Sequence, residues 1–476
     1  MDSKAERPPA GQEAGMNRKK RAQSRGSWLG LLVVILVFAS TAWGGATEKV
    51  LYSFQGGTDG MYPTGNVIFD QAGNLYGTTP QGGGTNYNCI GDSCGTVFEL
   101  TPQDGVWTET VLYAFTGKSQ NDGDLPNGGL VSDQDGNLYG VTGYGGAGDC
   151  RLSGSLVGCG TVYELTPPAG QGDSWTETIV YSFQGGKDGY LPLGNLTFDA
   201  KGNLYGATFF GGGHGTCDQG VYPYCGTVFE LSPPSKKGGD WTEKVLYSFK
   251  NGPDGTNPNG GLIFDGEGAL YGTTVYGGAK VESCADDGGD GCGVAFELKP
   301  PARKGGAWVE TVLHRFTDFP DGRHPFAGVV FGSEGNLYGT TLGGGQGSTA
   351  DGTVFELKPR HGGGAPWSET VLYTFLDGND GGFPMDPLIL DNKGNLYGEA
   401  GAGAGGTIFE MSPPTRRGGA WTYVVLYNFT DSPDGDGPEG GLIFDGAGNL
   451  YGTTHYGGTG EGCEYGGCGT VFEVTP

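Results

Sequence analysis

The chain has 476 residues, of which 100 are glycine and 56 are aromatic (8 Trp, 24 Tyr, 24 Phe), while charged residues make up only 17%. Glycine follows no three-residue period, which excludes collagen, and so much ring area can build a core, which argues against a disordered glycine-rich polymer. The formal net charge of −26 excludes a nucleic-acid partner, because such a surface repels phosphate backbones and anionic lipid.

The first element is an export signal over residues 1–46. Arg18-Lys19-Lys20-Arg21 forms a basic stretch, residues 29–43 an apolar run, and Gly44-Gly45-Ala46 a small-residue cleavage region. The run is short of the ~20 residues a membrane span needs, so membrane contact is expected only through this segment if it stays uncleaved. The predicted location is extracellular, cell-surface or periplasmic.

Residues 47–54, Thr-Glu-Lys-Val-Leu-Tyr-Ser-Phe, read as a lone strand. A repeating unit then begins. Gly-Asn-Leu-Tyr-Gly starts at Gly73, Gly136, Gly202, Gly335, Gly394 and Gly448, with an Ala variant at Gly268, at spacings of 54–67 residues. Before it stands a string such as Gly260-Gly261-Leu262-Ile263-Phe264-Asp265. After it come Gly-Thr-Val-Phe-Glu-Leu, as at 95–100, and Trp-Thr-Glu-Thr-Val-Leu-Tyr, as from Trp107. Each unit therefore offers four short strands bounded by Gly, Pro, Asn and Asp. Six repeat positions hold 38 of the 56 rings, which marks those rings as core between sheets.

Seven units of four strands predict an all-β, seven-bladed β-propeller. The blades span roughly 62–117, 125–186, 191–250, 257–317, 324–376, 383–430 and 437–476, in a single domain over 47–476. The last unit lacks the Trp-type strand that stands alone at 47–54, so the N-terminal strand is expected to complete the last blade and close the ring. Glycines such as Gly128, Gly129, Gly260 and Gly261 open the strand placed nearest the axis. The Asp-Gly-x-x-Pro turns and the Gly-Gly loops share one face, here the upper face; the Asp-x-x-Gly-Asn turns lie below.

Ten cysteines fall in local pairs on the upper loops: Cys89/Cys94, Cys150/Cys159, Cys217/Cys225, Cys284/Cys292 and Cys463/Cys468. Their spacing varies and no histidine accompanies them consistently, so five disulfides, not metal sites, are expected. Blades 5 and 6 have shorter upper loops without cysteine.

The combination Gly-Asn-Leu-Tyr-Gly-Thr-Thr, Gly-Gly and Gly-Thr-Val-Phe-Glu-Leu resembles the bacterial tandem repeat called Gloeo_Verruco, or GloVer, over nearly all of 47–476. The resemblance implies an exported or surface bacterial protein and brings no reaction and no catalytic residues.

Residues present in every blade, such as the Glu99 and Asp59 series, read as strand and turn residues. No cofactor is expected. Calcium is the one candidate, since Asp133-Gln134-Asp135-Gly136-Asn137 resembles a calcium loop, but the bidentate Glu is missing. Non-repeated residues are His214, Arg151, the acids Glu282, Asp286, Asp287 and Asp290, Glu399 in place of the usual Thr, and His455. Tyr144, Phe210, Tyr276 and Tyr456 end equivalent strands on the upper face and are candidate ligand-binding rings. The expected function is a ligand-binding or scaffolding propeller without chemistry of its own. Its expected partner is an extracellular glycan or a surface protein. The alternatives are a polysaccharide-directed hydrolase or lyase using non-repeated upper-face acids, and a structural envelope protein.

Overall fold

The computed structural model describes residues 45–476 apart from 85–88, 171, 214–224, 237, 251, 285–290, 348–350, 361–364, 377, 379, 402–404 and 464–465. The proposed signal segment thus lies almost wholly outside the described residues, as do His214, Cys217, Asp286, Asp287 and Asp290.

Seven four-stranded antiparallel sheets follow one another, the first six running from the axis outward in chain order. Blade 1 comprises Ile68–Phe69, Leu75–Thr79, Thr96–Gln103 and Val106–Ala114. Blade 6 comprises Ile389–Leu390, Leu396–Ala400, Thr407–Ser412 and Thr422–Asn428. The chain is a seven-bladed β-propeller. Blade 7 takes its outer strand from the N-terminal side: Thr47–Ser53 pairs with Thr470–Thr475. That strand buries Leu51 and Phe54 completely or nearly so and leaves Tyr52 half-buried.

The core lies between blades. At every joint the outer-strand Phe of one blade meets the third-strand ring of the next, mostly edge to face. The seven pairs are Phe54–Phe98, Phe115–Tyr163, Phe183–Phe229, Phe249–Phe296, Phe316–Phe355, Phe375–Phe409 and Phe429–Phe472, with centroids 5.0–5.6 Å apart. Such pairs contribute about 0.5–1.5 kcal/mol each beyond their burial. The closing joint, Phe54–Phe98, has the same geometry as the six made within the continuous chain.

A second lock explains the Asp-Gly-x-x-Pro turn. The residue before the proline is left-handed in all seven blades (Tyr62, Leu125, Leu191, Asn257, His324, Phe383 and Gly437, φ 51–63°). In that conformation its N–H donates to a carbonyl of the preceding blade, as from Tyr62 to Cys468 at 2.9 Å and from Leu125 to Cys94 at 3.1 Å. The turn Asp is fixed from the outer strand: Tyr52, Tyr113, Tyr181, Tyr247, Tyr373 and Tyr427 each donate a hydroxyl hydrogen bond to it, and His314 Nε2 takes that place opposite Asp321. The repeated aspartates are therefore structural. So is Asp133, whose two oxygens accept from Asp135 N, Asn137 N, Asn137 Nδ2 and the Tyr139 hydroxyl.

Candidate functional site at the propeller axis

The inner strand differs from its expected form. The glycine pairs do not open it; they bulge out of its middle. In blade 4, Pro258 pairs with Thr274 and Ile263 with Tyr271, so the residues between them leave the ladder and face the axis. Seven such steps crowd together there. A Cβ on Gly128 would stand 2.6 Å from the carbonyl oxygen of Gly194 in the next blade, which only glycine avoids. These steps surround a cavity of about 310 Å³. Thr64, Asn66, Asn127, Asn195 and Asn259 supply hydroxyl and amide groups to its wall, and backbone supplies much of the rest.

One side of the wall is different. At the central position of the axial step, five blades carry Gly65, Gly128, Gly194, Gly260 and Gly440, and one carries Ala327; blade 6 carries Asp386. Behind it, on the second strand of blade 6, stands Glu399. The equivalents are Thr78, Val141, Ala207, Thr273, Thr340 and Thr453. Where threonine is present it can tie the next blade, as Thr78 does by donating to Gly128 O at 3.0 Å and Thr273 to Ala327 O at 2.6 Å. Glu399 reaches the next blade too, its Oε2 accepting from Gly441 N at 2.8 Å. Its other oxygen, and Asp386 Oδ2, are sealed from solvent without a hydrogen-bond partner from a donor group. Glu399 is only 2% exposed. Burial, then the neighbouring Glu399 and Glu439 charges, hold the Asp386 carboxyl far above the usual carboxylate range.

Glu439, on the facing step of blade 7, also lines the cavity, and burial raises its pKa. His455 Nδ1 lies 3.9 Å from Glu439 Oε2; burial lowers this imidazole to about 4, which keeps it neutral at pH 7. Tyr62 stacks on His455 at 5.2 Å with an interplanar angle of 17°, and Tyr456 stands edge-on to both. Across the blade 5–6 side, where the upper loops are short, Phe319 (65%), Leu376 (52%), Phe383 (41%) and Met385 (37%) are exposed. Met385 lines the cavity and Phe383 ends the turn leading into it.

The four rings expected on the upper face sit on blades 2, 3, 4 and 7, and all are half-buried. The buried threonine two residues earlier pins the carbonyl of each, as Thr142 does for Tyr144 and Thr208 for Phe210. Phe210 lies against Tyr190 at 5.0 Å, Tyr276 against His324 at 5.0 Å, and Tyr456 against Tyr62 and His455. Of the non-repeated residues, the structure brings Glu399 and His455 to the axis, both on its blade 6–7 side, and leaves Arg151 exposed in its cysteine loop and Glu282 exposed on a short turn. Asp386 and Glu439 were not singled out from sequence; a column of the seven axial steps would have exposed Asp386 as the one charged residue among glycines and alanine.

Disulfides join Cys89–Cys94, Cys150–Cys159, Cys284–Cys292 and Cys463–Cys468, with Cα separations of 5.0–5.3 Å. Cys225 is also disulfide-bonded, and its expected partner Cys217 lies outside the described residues.

The family model for the Gloeobacter/Verrucomicrobia repeat matches residues 36–217 and 282–476. The chain belongs to this repeat family. Between the two matched stretches, strands Thr227–Ser232, Thr242–Ser248 and Leu270–Tyr276 pair in the same antiparallel order as in the other blades. No curated protein matches the chain. Among solved structures, a Trichoderma reesei protein of Carbohydrate-Active Enzymes family AA12, in a calcium structure, is 13% identical, with 91% of this chain and 96% of that one covered and a TM-score of 0.42. The PQQ-bound aldose sugar dehydrogenase of Streptomyces coelicolor is 14% identical, with 90% and 98% covered and a TM-score of 0.41. A Lactobacillus plantarum protein is 13% identical, with 78% and 86% covered and a TM-score of 0.44. Nothing about activity follows from likeness at this level.

Proposed function

We propose that this repeat protein is an exported, disulfide-stapled binding propeller that holds a carbohydrate over the axial cavity of its upper face. The observation that carries the reading is the break in the repeat. Repeated residues are absorbed by blade joints and turns, whereas Asp386 and Glu399 depart from the repeat and, with Glu439 and His455, lie on one side of a cavity walled by hydrogen-bonding groups. Polar groups arrayed around a concave site, with exposed Phe383 and Met385 beside it, suit a ligand that offers both hydroxyls and an apolar ring face. Export is supported by the basic and apolar N-terminal segment and by the disulfides, which persist in oxidising compartments. Glycan cleavage is the second reading, favoured by the raised carboxyls. Against it, hydrolysis places its two acids on opposite sides of the scissile bond, about 5–9.5 Å apart, whereas Asp386 lines the cavity and Glu399, accepting from Gly441 N, stands behind its wall.

A glycan array together with a reducing-sugar release assay on the mature protein tests this reading. Binding without release is the expected result. Release of sugar would establish the second reading, and neither binding nor release would leave a structural envelope role. Replacing Tyr144, Phe210 and Tyr276 together by Ala asks whether the half-buried rings contribute: lost binding with an unchanged melting temperature assigns them to the ligand, and a large stability loss assigns them to the core.

A further inference from the structure

We propose that the Cys89–Cys94 bridge is a thiol-exchange site and not only a staple, with Asp124 of the next blade as its proton donor and a dithiol as its substrate class. The proposal is independent of the carbohydrate reading and concerns the joint between blades 1 and 2.

The blades serve as one another's controls. Two places after the turn aspartate stand Met61, Asp124, Tyr190, Thr256, Arg323, Gly382 and Asp436. This position meets the upper loop of the preceding blade. Where that loop is bridged, the residue is otherwise neutral or cationic. Met61 Sδ lies 3.9 Å from Cys463 Sγ, and Tyr190 packs in the cluster that holds Cys150 and Cys159. Thr256 donates to Cys225 O at 3.3 Å, and Arg323 Nη1 to Ser283 O at 3.4 Å, next to Cys284. The other acid of the series, Asp436, belongs to a turn bonded to blade 6 through Gly437 N and Gly405 O, and that loop holds no cysteine. Among the described residues, Asp124 alone brings a carboxylate to both sulfurs of a bridge.

The local geometry is closed and specific. The turn strand Gly123–Pro126 clasps the cysteine loop at two points: Asp124 Oδ2 accepts from Ile90 N at 3.0 Å, and Leu125 N donates to Cys94 O at 3.1 Å. Asp124 is only 1% exposed, and its Oδ1 is sealed from solvent without a hydrogen-bond donor. A carboxyl oxygen of Asp124 and the two sulfurs all lie within 4.8 Å of one another. A disulfide donates nothing, so a carboxylate buried here is costly, and the other bridges are held without one. Burial, with a smaller push from Asp122 on the same turn, raises the Asp124 carboxyl to about 7; Tyr144 is its neighbour across the ladder. The group therefore exchanges its proton near neutral pH, as a proton donor and acceptor must. Cys94 is buried and Cys89 only partly so, which makes Cys89 the sulfur open to attack.

The exchange balances with a dithiol as the two-electron reductant. Its first thiolate bonds to Cys89 Sγ, the Cys89–Cys94 bond breaks, and Cys94 leaves with the electron pair and takes the proton of Asp124. The second thiol of the donor gives its proton to Asp124 and attacks its own partner sulfur in the mixed disulfide. Cys89 then leaves as a thiolate and is protonated from solvent. The donor ends as a disulfide and the loop as two thiols.

The mature, oxidised protein is treated with dithiothreitol from about pH 5.5 to 8.5 and quenched with an alkylating reagent, and each bridge is read separately by peptide mass spectrometry. Cys89–Cys94 should open about tenfold or more faster than the other bridges. Its rate per thiolate should fall about fivefold or more between pH 6 and pH 8, as Asp124 loses its proton. Asp124→Asn keeps an oxygen for Ile90 N, so the melting temperature should hold while the pH 6 rate drops and the profile flattens. A reduced Cys-Gly-Gly-Cys peptide in place of dithiothreitol separates the donors: oxidation of the peptide assigns a polypeptide dithiol, and reaction with dithiothreitol alone a small one, either in support. Opening no faster than the other bridges would overturn the proposal. So would fast opening whose pH profile Asp124→Asn leaves unchanged, or a reduced loop that holds zinc and exchanges thiols no faster than the rest.

Discussion

The ring should be more stable in mild acid than at pH 8. Six outer strands place a glutamate against the turn aspartate of the joint with the preceding blade: Glu48 faces Asp434, Glu109 Asp59, Glu177 Asp122, Glu243 Asp188, Glu310 Asp254 and Glu369 Asp321. Each has a buried Oε1 without a donor. Burial, then the facing aspartate, raises five of them from 4.5 to about 7 and Glu369 to about 8. The folded state thus binds more protons than the unfolded chain between about pH 4.5 and 8. Stability is fully present below that window and is lost as pH rises through it. Taken at face value, six such shifts would cost about 20 kcal/mol, more than the whole stability of a typical domain. These side chains are only half-buried, and solvent screening reduces the figure to roughly 0.5–1 kcal/mol each, or about 3–6 kcal/mol in all. With about 2 cal/mol/K of unfolding entropy per residue, that is a fall of roughly 3–7 °C in melting temperature. His455 works the other way, since a lowered imidazole favours folding as pH rises from about 4 to 6.5, but it is one group against six. Calorimetry at constant ionic strength from pH 5 to pH 8 should show the fall, and a variant with all six changed to Gln should flatten it. A melting temperature that rises over this range, or an equal fall in the Gln variant, would refute the reasoning.

Deleting residues 47–54 removes the outer strand of blade 7 with Leu51, Tyr52 and Phe54, whose burial is worth about 4–8 kcal/mol; the product should aggregate or melt far lower, while the same segment moved behind Pro476 through a linker should restore folding, both read by thermal denaturation. Mass spectrometry of protein from its native compartment should find an N-terminus near Thr47 and five bridges, each within one upper loop; free thiols or bridges between blades would contradict the proposed export. Reducing these bridges should cost up to about 2–3 kcal/mol each, less where the loops stay ordered.

Much of this architecture was legible because the repeat prints the same strand strings seven times, and a mismatch of ends such as Thr47–Phe54 shows in the sequence itself. Other features were hidden for physical reasons. Period-2 patterning does not reveal that Gly260 and Gly261 leave the ladder, because a bulge changes register without changing residue type. The left-handed turn residues are as different as Tyr62, Leu125 and His324, since the demand falls on the backbone N–H and not on the side chain. The acids at the axis were half visible. Glu399 stands out against a column that is mostly threonine, and His455 is one of few histidines, but Asp386 lies in a glycine-poor, proline-containing version of the axial step, Met385-Asp386-Pro387, where the repeat string itself is lost.

The central claim is that function sits on the upper face at the axis, on its blade 6–7 side. Hydrogen-exchange footprinting of the mature protein with a bound oligosaccharide tests it most directly. Protection should concentrate in residues 383–388, 399–401 and 437–442, and reach Tyr62 and His455. Protection confined to the lower turns or the outer strands would contradict the account.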